Sequence, residues 1–514
     1  MVLEKMGFLE DRDLSNVPTI PEFYKGKSIF ITGGTGFMGK VLIEKLLYSC
    51  TDLDKIYLLI RTKKGVNAED RLKNIYLSPC FDRLRKERPG VFESKVSVMD
   101  GDASQVGLGL TKEDRELIIK KVNIVFHTAA SVRFDDSLRF AANLNIRSAV
   151  EIVEIAKEME NLDVLVHVST SYSNARWNPI EEAMYPAYAD WRETLKICEE
   201  LDEDALRALT PKYLGSVPNT YIFTKQLAEH VIYEQKGKLP IIIIRPSVVV
   251  SSVSEPVPGW IENFNGPIAI ILGIGTGVLR CIYTTDDFAT DYVPVDESIR
   301  HFIAAAWIRG TKKFEPTDDI VIYNCCSNKK VTNAQLLSYG QKYCWDIPFK
   351  NSIWTIGLTM TRNKYYYYIK VFFNHLLPAL FVDMLLWLMG KPTMLFRLQR
   401  RVFISNIALQ KFMSREWLFV VDNFNRLRDC LKEDDYRDFY YDFKKLGTEE
   451  HFVDSLWGSR RYLLKEKDEN IPQARIRIRA VYALDVIIRL ALYGFIFWKI
   501  ITSHYVVNWY QSLL

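Results

Sequence analysis

The chain has 514 residues, 48% of them hydrophobic and 25% charged, which excludes a disordered chain and leaves room for a large core and more than one domain. Its formal net charge of +4 is too small to support a nucleic-acid partner, so the basic residues are read locally. Eight cysteines are scattered without C-x-x-C or Cys/His spacing, which gives no metal site and reads as reduced thiols in a cytosol-facing chain.

Met1 to Glu22 is mixed and acidic with no apolar core, so it is not read as a signal peptide, and residues 1–20 are expected to be a flexible lead-in. The first strand is Ser28-Ile29-Phe30-Ile31. It runs into Thr32-Gly33-Gly34-Thr35-Gly36-Phe37-Met38-Gly39, after which Lys40 to Leu47 has helical apolar spacing. Strand, glycine turn and helix are the setting in which a G-x-x-G-x-x-G pattern binds a dinucleotide. Gly33 can make the tight turn, Gly36 admits the pyrophosphate to the backbone, and Gly39 allows close helix packing with the helix N-terminus facing the anion.

The second strand, Ile56 to Ile60, ends at Arg61, with Lys63 and Lys64 beyond. An acidic residue here would hold a ribose hydroxyl; a guanidinium instead suits a 2′-phosphate, so NADPH is the expected cofactor. Residues 66–95 read as charged helix. Val96 to Met99 is a third strand leading to Asp102, which is either an adenine contact or a turn aspartate. The strand Val122 to His127 ends in Thr128-Ala129-Ala130, small enough for a cofactor to cross the sheet edge. His127 is read as structural in preference to catalytic. Asn143 and Asn145 precede a helix from Ile146 to Met159. The strand Val164 to Val168 ends in Ser169-Thr170-Ser171, hydroxyls that either reach a carbonyl or cap a turn.

Residues 174–218 break the βα rhythm and suggest a substrate-facing lid. Next, Asn219-Thr220-Tyr221-Ile222-Phe223-Thr224-Lys225 opens a helix on which Tyr221 and Lys225 share one face. Ile241 to Ile244 is a buried parallel strand that runs into Arg245-Pro246-Ser247. Residues 254–290 read as a Pro/Gly-rich loop with an apolar patch, Gly266 to Leu279. Strand and helix return over Asp291 to Gly310, and Val321 to Asn324 is the last clear strand.

From about 350 the composition turns aromatic and apolar. Val371 to Met389 is long enough to cross a bilayer, but it carries Asn374, His375, Pro378 and Asp383, so a buried layer or a membrane-surface segment stays open. Residues 397–465 read as amphipathic helices. Arg475, Arg477 and Arg479 precede an apolar run, Val481 to Ile501, whose Asp485 and Arg489 can neutralise each other. This is either a membrane-anchor helix with a basic flank or a helix docked on the body.

A glycine turn after strand one, hydroxyls after a middle strand and Tyr-x-x-x-Lys in the next helix, in that order, resemble the extended short-chain dehydrogenase/reductase superfamily over residues 28–330. The motifs at 32–39, 127–134 (His-Thr-Ala-Ala-Ser-Val-Arg-Phe), 167–173, 221–225, 244–247 and 255–267 (Glu-Pro-Val-Pro-Gly-Trp-Ile-Glu-Asn-Phe-Asn-Gly-Pro) are similar to those of animal and plant fatty acyl-CoA reductases. Gly34 stands where that family usually has alanine.

The fold class expected is α/β: a Rossmann-type doubly wound parallel sheet over residues 21–345, which bind NADP, then a mostly helical domain at 346–470 and a basic-flanked apolar tail at 471–514. The resemblance implies reduction of long-chain fatty acyl-CoA by NADPH to a primary alcohol. Tyr221, Lys225 and Thr170 would be catalytic, with Ser169 as the substitute donor, and Lys225 would favour the tyrosinate. The cofactor would lie against Thr32, Gly33, Thr35, Gly36, Phe37, Met38, Gly39, Arg61, Lys64, Asp102, Thr128, Ala129, Ala130, Lys225, Pro246 and Ser247. It also implies membrane association through the tail, facing the cytosol on peroxisomes or endoplasmic reticulum. The apolar patch at 266–279 and the helical domain are candidates for the acyl-chain tunnel. An aldehyde-releasing reductase, a sterol or sugar-nucleotide dehydrogenase and a non-catalytic lipid-binding scaffold are the alternatives, and oligomeric state stays open.

Overall fold

The computed structural model describes residues 16–502 apart from 64, 265, 411 and 414, so Lys64 and the end of the tail, 503–514, lie outside the described residues. Contacts divide the chain into two units. The first holds the chain up to Asn263, Phe288–Thr332 and Ala408–Gly458; the second holds Phe264–Asp287, Asn333–Ile407 and the chain from Ser459.

In the first unit seven strands form one parallel sheet: β1 (Ser28–Thr32), β2 (Lys55–Ile60), β3 (Val96–Asp100), β4 (Ile124–His127), β5 (Val164–Val168), β6 (Ile241–Pro246) and β7 (Val321–Cys325). Their order is β7-β6-β5-β4-β1-β2-β3. The chain leaves β1 for β2 on one side and returns to β4 on the other, so the crevice at the end of β1 is a topological switch point. The strands read as unbroken apolar runs because both faces are covered. Ile241, Ile242, Ile243 and Ile244 are each at most 1% exposed, and burying each contributes about 2 kcal/mol.

One face is covered by α1 (Phe37–Ser49) and α4 (Val295–Gly310), which pack together, α4 also lying on β5 and β6. The other is covered by α2 (Ser148–Glu158) and α3 (Thr220–Tyr233), whose apolar residues share one core with Phe30, Val125, Leu165 and Ile243. The 174–218 insertion folds into helices Trp191–Glu200 and Glu203–Leu214, which place Leu195, Cys198 and Leu206 in that same core. Of the expected lead-in, residues 16–20 are docked: the Trp307 indole donates to the Pro18 carbonyl (2.8 Å), and the Ile20 N–H donates to Asp435 (3.0 Å).

The second unit is mostly helical. Gly266–Gly275 is a helix where the sequence suggested a loop. Pro267 sits in its first turn, where no N–H is needed, and the run Ile268 to Leu272 then supplies the helix. The apolar run after 363 is helical from Lys364 to Leu388, with a π turn at Phe372–Leu376. The last helix is Ile471–Ile501. Its first half is docked within this unit through Ala474, Ile478 and Asp485; Asp485 accepts from the Trp354 indole (2.7 Å) and pairs with Arg489 (2.7 Å). Every residue from Ile487 to Ile501 is exposed. Two helices in this unit are therefore long and apolar enough to cross a bilayer.

Candidate active site

In a parallel sheet every strand ends on the same edge, and that edge collects the expected residues. Thr32 ends β1, Arg61 follows β2, Asp102 follows β3, Thr128 to Ala130 follow β4, Ser169 and Thr170 follow β5, and Pro246 ends β6 with Ser247 next.

The β1–α1 turn is shaped for close approach. Gly33 has φ +79°, and a Cβ there would lie 2.6 Å from Thr128 Oγ1 and 2.7 Å from the Ala129 nitrogen. A Cβ on Gly39 would lie 2.4 Å from the Gly33 carbonyl. Gly36 precedes the first turn of α1 and is exposed, with Thr35, Phe37 and Met38 partly so. The open N-terminal N–H groups of α1 thus face outward at the switch point, the geometry that receives a pyrophosphate. Thr32 ties the crevice together: its carbonyl accepts from Thr128 Oγ1 (2.6 Å), and its hydroxyl meets His127 Nδ1 (2.8 Å). The His127 Nε2 meets Ser148 Oγ at 3.3 Å, and burial, with Lys225 nearby, lowers the imidazole to about 3. His127 is a neutral link between strand and helix, as its place at the end of an apolar strand suggests.

At the β2 end, Arg61 pairs with Asp102 (3.0 Å), which also accepts from the Ser104 N–H (3.0 Å) and hydroxyl (2.8 Å). Arg71 donates to the Arg61 carbonyl, so a second guanidinium stands beside the first. The Ser247 hydroxyl donates to Asp291, which also accepts from Ser327 and Asn328. Both the Ser247 hydroxyl and its N–H, which donates to the Cys325 carbonyl (3.1 Å), are therefore engaged within the protein.

Helix α3 starts at Asn219, whose side chain accepts from the Ile222 N–H (2.9 Å). It packs on the turn Ser171–Asn174 that follows β5, so that Tyr221 meets Thr170, and the Lys225 ammonium donates to the Val168 carbonyl at 2.6 Å. Burial pushes the Tyr221 phenol up to about 12, against the lowering effect of the Thr170 hydroxyl. This corrects the expectation that Lys225 makes the phenol more acidic: the ammonium is engaged by a strand carbonyl and desolvation dominates. Lys225 is itself lowered to about 8 by burial, opposed by Glu229. Thr170 lies by the Tyr221 phenol and also caps the turn at Tyr172 (3.3 Å), whereas the Ser169 Oγ is buried near Glu229 without a hydrogen-bond partner among the described residues.

Several site residues carried weaker sequence signals. Glu229, one further turn along the face that bears Tyr221 and Lys225, is clamped by Arg245 through two bonds (2.7 and 2.9 Å), both side chains being at most 1% exposed. Extending Tyr-x-x-x-Lys by four residues would have found it. Asn145 lies in a π turn at Asn143–Arg147; it accepts from the Ser131 N–H (2.9 Å) and donates to Thr224 (2.9 Å), bracing α3. Phe134 stacks on the Tyr221 ring (6.0 Å), and Phe412 meets Phe134 at a tilt (5.4 Å). No local pattern marks these as site residues.

A glycine cradle at the switch point of a doubly wound sheet, with Tyr221, Lys225 and Thr170 on the same edge, defines a nicotinamide-dependent oxidoreductase of Rossmann type. Two family models, both described as male sterility protein, match residues 31–302 and 374–466. The chain is 37% identical over 505 residues to fatty acyl-CoA reductase wat of Drosophila melanogaster, covering 97% of each. It is 36% identical to fatty acyl-CoA reductase 1 of Mus musculus, covering 89% of this chain and 88% of the relative. The chain belongs to the fatty acyl-CoA reductase family. Solved structures with the same fold include the reductase domain of a non-ribosomal peptide synthetase from Mycobacterium tuberculosis (TM-score 0.58, 15% identity, 88% and 95% covered). Another is the terminal R domain of the myxalamid PKS-NRPS pathway (TM-score 0.57, 16% identity, 86% and 92% covered).

Proposed function

We propose that the protein reduces long-chain fatty acyl-CoA to the primary fatty alcohol with NADPH, releasing CoA, on the cytosolic face of a peroxisomal or endoplasmic reticulum membrane. The observation that carries this reading is Tyr221 facing Thr170, with Lys225 anchored on Val168, at the sheet edge that bears the glycine cradle.

Taking an acyl thioester to an alcohol needs two hydrides and two protons and frees the thiol. Bound reduced nicotinamide supplies the hydride each time. The chain manages the oxygen. Thr170 donates a hydrogen bond to the carbonyl oxygen, which stabilises the charge that grows there. Tyr221 gives that oxygen its proton. With its pKa at about 12, the phenol is protonated throughout the physiological range, and an alkoxide is a strong enough base to take the proton. Reduction needs a donor rather than a resting tyrosinate, so the upward shift suits this direction. Lys225, lowered to about 8, is largely charged near neutral pH and would hold the ribose hydroxyls of the cofactor. Glu229, held in place by Arg245, lies near it and favours that charge. Arg61 and Arg71 at the end of β2 support a 2′-phosphate, hence NADPH.

The test is the purified full chain with NADPH and palmitoyl-CoA. The expected result is two NADPH oxidised per CoA freed and hexadecanol without accumulating hexadecanal. One NADPH per CoA with free aldehyde would contradict it. In the same assay Arg61→Glu raises the KM for NADPH by about tenfold or more and that for NADH by less; equal losses refute the role given to Arg61.

A further inference from the structure

The helix from Lys364 to Leu388 is apolar, yet its polar residues are among those it hides. Its buried positions are Tyr367, Val371, His375, Ala379 and Asp383, each four residues from the last. In an unbroken α-helix that spacing drifts by about 40° per step. The π turn at Phe372–Leu376 takes up an extra residue and holds the stripe to one side.

The stripe is tied along its length to its own unit. The Tyr367 ring stacks on Phe403 (6.3 Å) and meets Tyr283 edge-on (5.5 Å). The Arg280 N–H donates to His375 Nε2 (3.0 Å). Asp383 accepts three backbone N–H groups, from Met394, Leu395 and Phe396 (3.1, 3.1 and 2.9 Å), where the next helix begins. Apart from the half-buried Lys370 and Asn374, the remainder of the circumference is apolar, and Phe373, Leu377, Leu380, Phe381, Met384 and Leu388 are exposed. Tyr365, Tyr366 and Tyr368 stand exposed at one end and Trp387 at the other, with Lys364 and Lys391 flanking.

The following helix repeats the pattern. Gln399 and Asn406 are buried and bond the Val278 and Cys281 carbonyls (2.9 and 3.3 Å), while Arg397, Arg400 and Arg401 are exposed beside Phe396 and Ile404.

We propose that the outward face of Lys364–Leu388 lies in the plane of an anionic phospholipid bilayer, sunk to the boundary between headgroups and acyl chains, with the basic residues on the headgroup phosphates. This deepens the membrane reading above and rests on it. Three features single out lipid as the occupant. Aromatic residues cap both ends, as at a membrane interface. Basic side chains flank an otherwise apolar face and complement anionic headgroups. The terminal helix of the same unit is exposed and apolar from Leu490 to Ile501, apart from Lys499, so the unit carries a second apolar element suited to lipid. The bonds on His375 and Asp383 hold the first helix lengthwise against protein, which excludes a crossing surrounded by lipid.

The test uses the intact chain, bound to phosphatidylcholine/phosphatidylserine vesicles that carry a phospholipid with a photoreactive acyl chain. Adducts are expected on the 364–388 peptide at outward positions such as Phe373, Leu377 and Leu380, and not at Tyr367, Val371 or Ala379. In vesicle flotation, Phe373→Asp with Leu380→Asp weakens binding by about tenfold or more, with cofactor binding retained. A chain that floats with the vesicles but gains no adduct on this peptide overturns the inference and leaves the membrane reading standing. Adducts all round the helix indicate a crossing and overturn it as well. A chain that does not float overturns both.

Discussion

Two adjacent glycines differ sharply in what they tolerate. At Gly33 the backbone is left-handed, and an added Cβ would meet backbone atoms of Thr128 and Ala129 that the sheet holds in place. Gly33→Ala is expected to cost about 2 kcal/mol or more and to abolish cofactor binding. At Gly34 the φ is ordinary, and the Cβ would meet only side-chain ends, Leu58 Cδ2 at 3.0 Å and Ile43 Cδ1 at 3.2 Å. Gly34→Ala is expected to stay within about 1 kcal/mol of the native chain. Urea denaturation and a cofactor titration of both variants check this; a larger cost at Gly34 would mean that the turn is read wrongly. The roles of Gly33 and Gly39 were legible because the absence of a Cβ is itself the signal. The sense of the Tyr221 shift was not, because desolvation depends on which atoms surround the phenol, and spacing along a helix does not reveal that. Glu229 was legible in principle; Phe134 and Phe412, far apart in the chain, were not.

At the scale of elements, strands were the most legible feature, since a run such as Ile241 to Ile244 has no other use than a sheet covered on both faces. The π turns were illegible: Asn143–Arg147 and Phe372–Leu376 each insert one residue into an otherwise regular helix, and only packing calls for it. Also hidden was the charge cluster that joins α1 to the segment after β6. Glu255 is held by Lys45 (2.8 Å), Arg83 (2.8 Å) and Arg300 (3.0 Å). Burial alone would raise its carboxyl, but these three cations bring it down to about 2 from an ordinary 4.5. The folded-state value lies below the unfolded one, so the stabilisation is complete above pH 4.5 and is lost as pH falls toward 2. Glu44 and Glu297 in the same cluster are raised and act in the opposite sense. The difference between native chain and Glu255→Gln isolates the Glu255 contribution. Urea midpoints measured against pH should show the variant less stable at neutral pH and the gap closing through the acid range. A gap that does not change with pH would assign the loss to packing instead.

Across the whole molecule, the units are built from separated stretches of chain. The sequence reading places a boundary near 345, where composition shifts. Contacts return Ala408–Gly458 to the unit that contains the sheet, and that stretch supplies Phe412 beside the ring pair of Phe134 and Tyr221. Composition averages over a window and does not register such a return. What the reading did capture is the order of motifs along the edge of one sheet, which is why the family was legible before the fold was. The account rests on Tyr221 as the proton donor, and the most direct measurement is the turnover of palmitoyl-CoA by Tyr221→Phe beside its NADPH affinity. The prediction is a fall in kcat of about 10² to 10⁴ with NADPH affinity within about threefold of the native chain. A variant that turns over at the native rate would contradict it.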